Sequence, residues 1–367
     1  MKKYLYAPIL ILILTSCGSE SGIEQTNDNF DRGLVLNSTY DSIIIPAYND
    51  FSNHLLNLEQ SIIDFTQNTS EENLNNVRKS WASSYVSWQN IAMFNIRVAE
   101  ENFYSSIMNI YPCDTAQVNK NIEDSISSIS GYSPNSSAAS GFPAIGYMIY
   151  GLGSDSTQVL SYYTSNESSK FKSYLLALVN QMSYNTDLII NDWNNNKSAF
   201  VSSSGNTVSS SLNMIINDYI YHFEKRVREA KIATPSGVRD GNPKVTHVES
   251  FYRPDLSKRL LEQSFTSIER FYYGNSFSGL NSGTGLVSYL EALDNTDALL
   301  NEIDNQIINI KNKIEMLNDD FTTHINSGDL NKMHEVFFAM QSLVGSLKTD
   351  MLSRFNIATD FPDNDGD

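Results

Sequence analysis

Several things this chain lacks narrow its reading. It has only two cysteines, Cys17 and Cys113, too few for a disulfide-stapled scaffold. Basic residues are scarce: 25 Lys and Arg stand against 42 Asp and Glu, a net charge of −17. That sign repels nucleic acid and anionic membrane surfaces, so nucleic acid is excluded as a partner. Nowhere does an apolar run reach the ~20 residues a membrane-spanning helix needs. Strand-type alternation of apolar and polar residues is also scarce, and neither a Ser-His-Asp order nor a phosphate-cradling glycine loop stands out.

What is present begins at the N-terminus. Lys2 and Lys3 precede the apolar run Tyr4 to Leu14, which has the length of a signal-peptide core. It ends in Leu14-Thr15-Ser16-Cys17, which resembles a lipobox with Cys17 as the lipidated residue. The expectation is a signal peptide over 1–16, with the lipid on Cys17 as the only contact with a membrane. Removing 1–16 takes away two lysines and no acid, so the charge moves from −17 to −19. Cys113 is then left without a disulfide partner. Residues 17–42 are rich in Ser, Asn, Asp and Gly and read as a flexible tether.

Beyond the tether the dominant signal is helical. Tyr48, Phe51, Leu55, Leu58, Ile62 and Phe65 step by three and four, which predicts one face of a helix. Thr69 and Glu72 fit a capping box opening a second helix, striped by Leu74, Val77, Trp81, Tyr85, Trp88 and Ala92. Residues 113–140 read as loops. Further helices are expected over 171–193, on the stripe Leu212, Ile216, Tyr219, Phe223, Val227 and Ala230, and on the stripe Leu299, Ile303, Ile307, Ile310, Ile314 and Leu317. A polar break at 202–207 divides the chain into helical-bundle lobes over 43–201 and 208–360. One offset of 256 pairs Phe65 with Phe321, Val77 with Met333 and Trp81 with Phe337. An internal duplication and a chance match of two amphipathic hairpins both account for it. The fold class is all-α, two bundle-like lobes.

Four segments carry a family resemblance: Ile43-Ile44-Ile45-Pro46-Ala47-Tyr48, Tyr111-Pro112-Cys113-Asp114-Thr115, Gly141-Phe142-Pro143-Ala144-Ile145-Gly146-Tyr147-Met148-Ile149-Tyr150-Gly151 and Thr234-Pro235-Ser236-Gly237-Val238-Arg239. In order and spacing they resemble landmarks of the imelysin-like family. The resemblance implies an all-helical, two-lobed fold with a cleft, in extracytoplasmic proteins that are often lipoproteins associated with iron uptake. Some members are described as metallopeptidases, which makes iron or zinc the cofactors the resemblance brings to mind. The family signature is G-x-H-x-x-E. Placed on this chain it keeps Gly141 but puts Pro143 at the histidine and Gly146 at the glutamate, and neither side chain can ligate a metal. No metal, cofactor or catalytic residue carries over.

Other candidates are sparse. His334-Glu335 starts like H-E-x-x-H, but Phe338 stands where the second histidine belongs. Asp218 and His222 lie four apart, on one face of a helix, while Glu224 points away. His247 and Glu249 read as surface residues near a turn. Trp88, Asp114, Tyr147 and Arg239 complete the residues that a cleft or ligand site would draw on, with loop capping the competing role for Asp114 and core packing that for Trp88 and Tyr147. Three functional readings follow: a non-catalytic imelysin-like lipoprotein serving envelope iron or nutrient acquisition as a binding or accessory component, with a small ligand or an envelope protein as its partner; a metallopeptidase with a non-standard site; and a scaffold for an envelope protein partner. Each places the protein at the bacterial cell envelope, facing the periplasm or the cell surface.

Overall fold

The computed structural model describes residues 29–280 and 282–360, and the signal peptide expected over 1–16 and the expected lipidation site Cys17 lie outside them. Among the described residues there is no strand beyond one isolated bridge between Asn275 and Ser282. Ten principal helices carry the fold: α1 (Gly33–Thr39), α2 (Ile45–Gln67), α3 (Glu71–Trp88), α4 (Thr115–Glu123), α5 (Gly141–Gly146), α6 (Ser168–Ser202), α7 (Ser211–Tyr221), α8 (Ser257–Tyr273), α9 (Asp297–Glu315) and α10 (Asn331–Gly345). Shorter helical turns lie between them.

The stripes explain the packing. All six stripe residues of α2 are buried, as are all six of the stripe that α3 opens and those of α9 that continue to Leu317. Each such side chain contributes about 1.5–3 kcal/mol by leaving water. Pro46 is the second residue of α2 and follows directly on a π-helical turn over Tyr40–Ile44, where the regular bonding ladder is already interrupted. A loop of three residues turns α2 back onto α3, and α2 also packs with α6. The second group of helices forms around α7, which continues without a break into a π-helical stretch, His222–Ala233. That stretch packs on α10, and α10 packs on α9. Helix α8 touches the π-helical stretch, α9 and also α3, so it joins the two groups.

Several expectations change. The tether drawn over 17–42 stops short of Gly33, where α1 and a π-helical turn over Tyr40–Ile44 begin and bury Val35, Leu36, Tyr40 and Ile43. The apolar run Leu34-Val35-Leu36 is too short to show a period, yet α1 lies against α6. The N-cap of α3 is Ser70, whose hydroxyl accepts from the Asn73 amide at 3.2 Å. Thr69 instead donates to the Phe65 carbonyl. Within 113–140 the chain forms α4, and α6 runs well past both ends of 171–193. Phe65 closes α2, whereas Phe321 opens a separate short helix after Asp320, so the offset of 256 does not superpose equivalent turns. Residues 203–210 carry no helix.

Candidate functional site

The Gly141–Gly146 segment is fully buried and lies against α3 and α6. Gly141 has φ 64°, and a Cβ there would sit 2.1 Å from the Met108 carbonyl oxygen and 2.4 Å from that of Ile107. Only glycine fits such a backbone approach. Pro143 stands in the first turn, where its missing N–H leaves no helical bond unmade. Phe142 stacks on Tyr85 with centroids 4.4 Å apart, and its carbonyl accepts from the Trp81 indole N–H at 3.0 Å. Gly146 faces that indole: a Cβ at 146 would lie 3.0 Å from Trp81 Cζ2.

Pro143 and Gly146 line a cavity of about 300 Å³, together with Trp81, Cys113, Phe251 and Tyr252. Its walls hold no carboxylate and no imidazole. Burial, helped by the neighbouring Asp114, pushes the Cys113 thiol up to about 12, so it stays protonated and is a poor ligand. This donor set does not fit iron or zinc. Among the described residues, no group of three or more His, Cys, Asp or Glu side chains is placed to hold a metal ion.

A second cavity, of about 180 Å³, lies on the other side of Tyr111, which borders both. Trp88, Ala92 and Ile110 give it apolar surface. The π-helical stretch gives it His222, Arg226, Ala230 and Lys231. A π-helix takes one more residue per hydrogen-bonded turn than an α-helix, and such segments recur at functional sites. Lys231 is buried and paired with the buried Glu249. Glu249 also accepts from Asn109 at 2.8 Å and Gln89 at 3.3 Å, and Lys231 donates to Gln89 at 3.0 Å. Burial lowers the Lys231 pKa, opposed by Glu249. The Glu249 charge is therefore matched inside the protein. Burial and the positive charges of Lys231 and Arg226 push His222 down to about 3, so its imidazole is neutral at pH 7.

The imelysin peptidase-family model matches residues 44–349. The chain belongs to the imelysin family. Two solved structures share the imelysin fold. One is described as a candidate iron-regulated protein A precursor from Parabacteroides distasonis, with TM-score 0.74, 18% identity, and coverage of 88% of this chain and 95% of that one. The other is an imelysin-like protein from Psychrobacter arcticum, with TM-score 0.70, 14% identity, and coverage of 90% and 97%. No curated protein matches significantly.

Within this imelysin fold the residues singled out in the sequence scatter. Trp88 and His222 share the second cavity. Asp218 lines a third, of about 430 Å³, with Glu100, Asp360 and Arg226, so Asp218 and His222 do not converge despite their spacing. Burial raises the Asp218 carboxyl to about 8, although it accepts from the Asn95 amide at 2.6 Å. Asp114 caps α4, accepting from the Gln117 amide. Tyr147 is half-buried beside Tyr252 and donates to Asn119. Arg239 lies away from the three cavities, bonded to Glu229 at 2.7 Å. Glu224 is fully buried and turned toward Lys348 at 3.0 Å. Glu249, expected at the surface, is 3% exposed, because the segment after the turn folds back over α3 and buries it against Lys231. Tyr111, Arg226 and Lys231 had not been singled out. Tyr111 alone carried a signal, as part of a landmark segment.

Proposed function

We propose that this imelysin is a lipid-anchored, extracytoplasmic binding protein serving iron or nutrient acquisition at the bacterial envelope, and that it does not cleave peptides. One observation carries the reading. The signature segment keeps its glycine and its buried place, but the glutamate position is a glycine against which the Trp81 indole is packed, and the histidine position is a proline in the wall of a cavity lined by no carboxylate and no imidazole. That arrangement suits holding a ligand rather than activating water. The solved neighbour described as iron-regulated supports the iron connection. No helix among the described residues is long and apolar enough to cross a membrane, which leaves room for an anchor at Cys17.

Two measurements test this. The purified protein should carry less than stoichiometric iron and zinc and show no metal-dependent peptidase activity. Stoichiometric metal, or chelator-sensitive cleavage of a peptide library, would overturn the non-catalytic reading. Cys17→Ala expressed in bacteria should lose lipid labelling and partition into the aqueous phase of a detergent extraction. A mutant that still partitions with the detergent would refute the anchor.

A further inference from the structure

We propose that the cavity between Trp88, Tyr111, His222 and Arg226 is a binding site for a small organic carboxylate. The inference deepens the binding role given above and rests on it for its biological meaning, while its test stands apart from metal and peptidase activity.

Three donors lack partners there. His222 is only 6% exposed, lines the cavity, and makes no hydrogen bond or ion pair with any described residue. Its ring nitrogens open into the cavity, where a ligand can bond them. The Tyr111 hydroxyl and the Arg226 guanidinium, which line the same cavity, also make no hydrogen bond or ion pair with any described residue. The other ionisable groups in the wall, Lys231 and Glu249, are used by each other. The charge left over is the single positive charge of Arg226. Its planar fork matches a carboxylate better than a point cation would. A neutral imidazole with one N–H and a phenol O–H add two further donors.

The acids on the far side of Arg226 do not pair with it directly, although Asp218 feels its charge. Asp218, Glu100 and Asp360 border the third cavity, and none forms an ion pair with Arg226. The Trp88 ring, Ala92, Ile110 and Ala230 supply apolar wall, and the polar Gln89 and Asn109 beside them are bonded to Glu249, leaving Ser105 as the other polar residue of the lining. At about 180 Å³ the space is close to the ~150 Å³ that accommodates benzene in an engineered protein cavity. The fit is therefore to a single carboxylate on a compact apolar body, seated with its body on Trp88 and its anion toward Arg226.

Calorimetric titration of the metal-free, full-length mature protein with acetate, isobutyrate and benzoate tests the site. Saturable binding of at least one acid is expected, at least tenfold tighter than its neutral amide and not competed by equimolar inorganic phosphate. Arg226→Gln, at an exposed position, should weaken that acid at least tenfold. Tyr111→Phe should weaken it about three- to tenfold, and Tyr184→Phe, exposed and remote, should leave it unchanged. The proposal is overturned if none of the acids binds, if the amide or phosphate binds as well as the acid, or if Arg226→Gln leaves the affinity unaltered.

Discussion

Putting the signature side chains back distinguishes a vacated site from a rebuilt wall. In Pro143→His/Gly146→Glu, the Cβ added at 146 comes within 3.0 Å of Trp81 Cζ2. The indole has little room to retreat, since its N–H is held by the Phe142 carbonyl at 3.0 Å and its ring meets Tyr85 edge-on at 5.4 Å and Tyr150 at 5.7 Å. Overpacking of this kind costs about 1–3 kcal/mol. Removing a helical glycine returns about 0.5–1 kcal/mol. The net expectation is a loss of about 1–2 kcal/mol, read as a lower urea midpoint with an unchanged slope. The metal side should fail too. Zinc sites use three or four protein ligands, the nearest further donor is the Cys113 thiol raised to about 12, and the variant should bind zinc no tighter than about 1 µM by calorimetry. Trp81→Phe isolates the clash: in the Gly146→Glu background it should cost about 1 kcal/mol less than in the parent, a coupling that a double-mutant cycle measures. A double variant as stable as the parent, holding one equivalent of zinc at sub-micromolar affinity, would refute the argument.

Three further perturbations follow from the same geometry. Asp218 titrates near 8 in the folded protein and near 3.9 in an unfolded chain, so the native state holds the extra proton between those values, and stability falls as pH rises from about 4 to 8. The total loss across that window is capped at about 6 kcal/mol by ~1.36 kcal/mol per unit and reduced by the residue's partial exposure; Asp218→Asn should flatten denaturation midpoints across that window, and an unchanged profile would disprove the assignment. Lys231→Met leaves the Glu249 carboxylate buried without its cation and should cost about 3–5 kcal/mol in urea unfolding, whereas Lys231→Met/Glu249→Gln should recover at least half of that; equal losses in single and double variants would contradict the pairing. Gly141→Ala drives a Cβ into the Ile107 and Met108 carbonyls at a positive φ, and should lower stability by at least about 2 kcal/mol; a neutral result would show that the segment does not hold this backbone.

The fold was legible in the long stripes where apolar residues recur at the helical period over four or more turns, because such a face has one way to leave water. The stripes of α2, α3 and α9 are buried to the last residue. Failures came where that physics has too little chain to act on: α1, with a single apolar run, and α4, nine residues opened by Asp114. Helix α8 went unread although Leu260, Leu261, Phe265, Ile268 and Phe271 are all buried along it. The motif segment was legible for a different reason. Its chemistry is local, and the missing imidazole and carboxylate can be read from two positions in one turn.

The second cavity is the opposite case. Its walls come from the end of α3, the chain around Tyr111, the π-helical stretch and the segment carrying Glu249, which no short motif unites. A period of 3.6 also misleads inside the π-helix: it places Ala230 on the apolar stripe with Phe223 and Val227, whereas Ala230 is half-buried and faces the cavity with His222 and Arg226, each four residues apart. An extra residue per hydrogen-bonded turn brings those three positions toward one line. It also turns Glu224 to the opposite side, toward Lys348. The same distortion that hides the cavity from a helical reading thus assembles it, leaving one guanidinium and one neutral imidazole beside Trp88 and directing the remaining buried acid elsewhere.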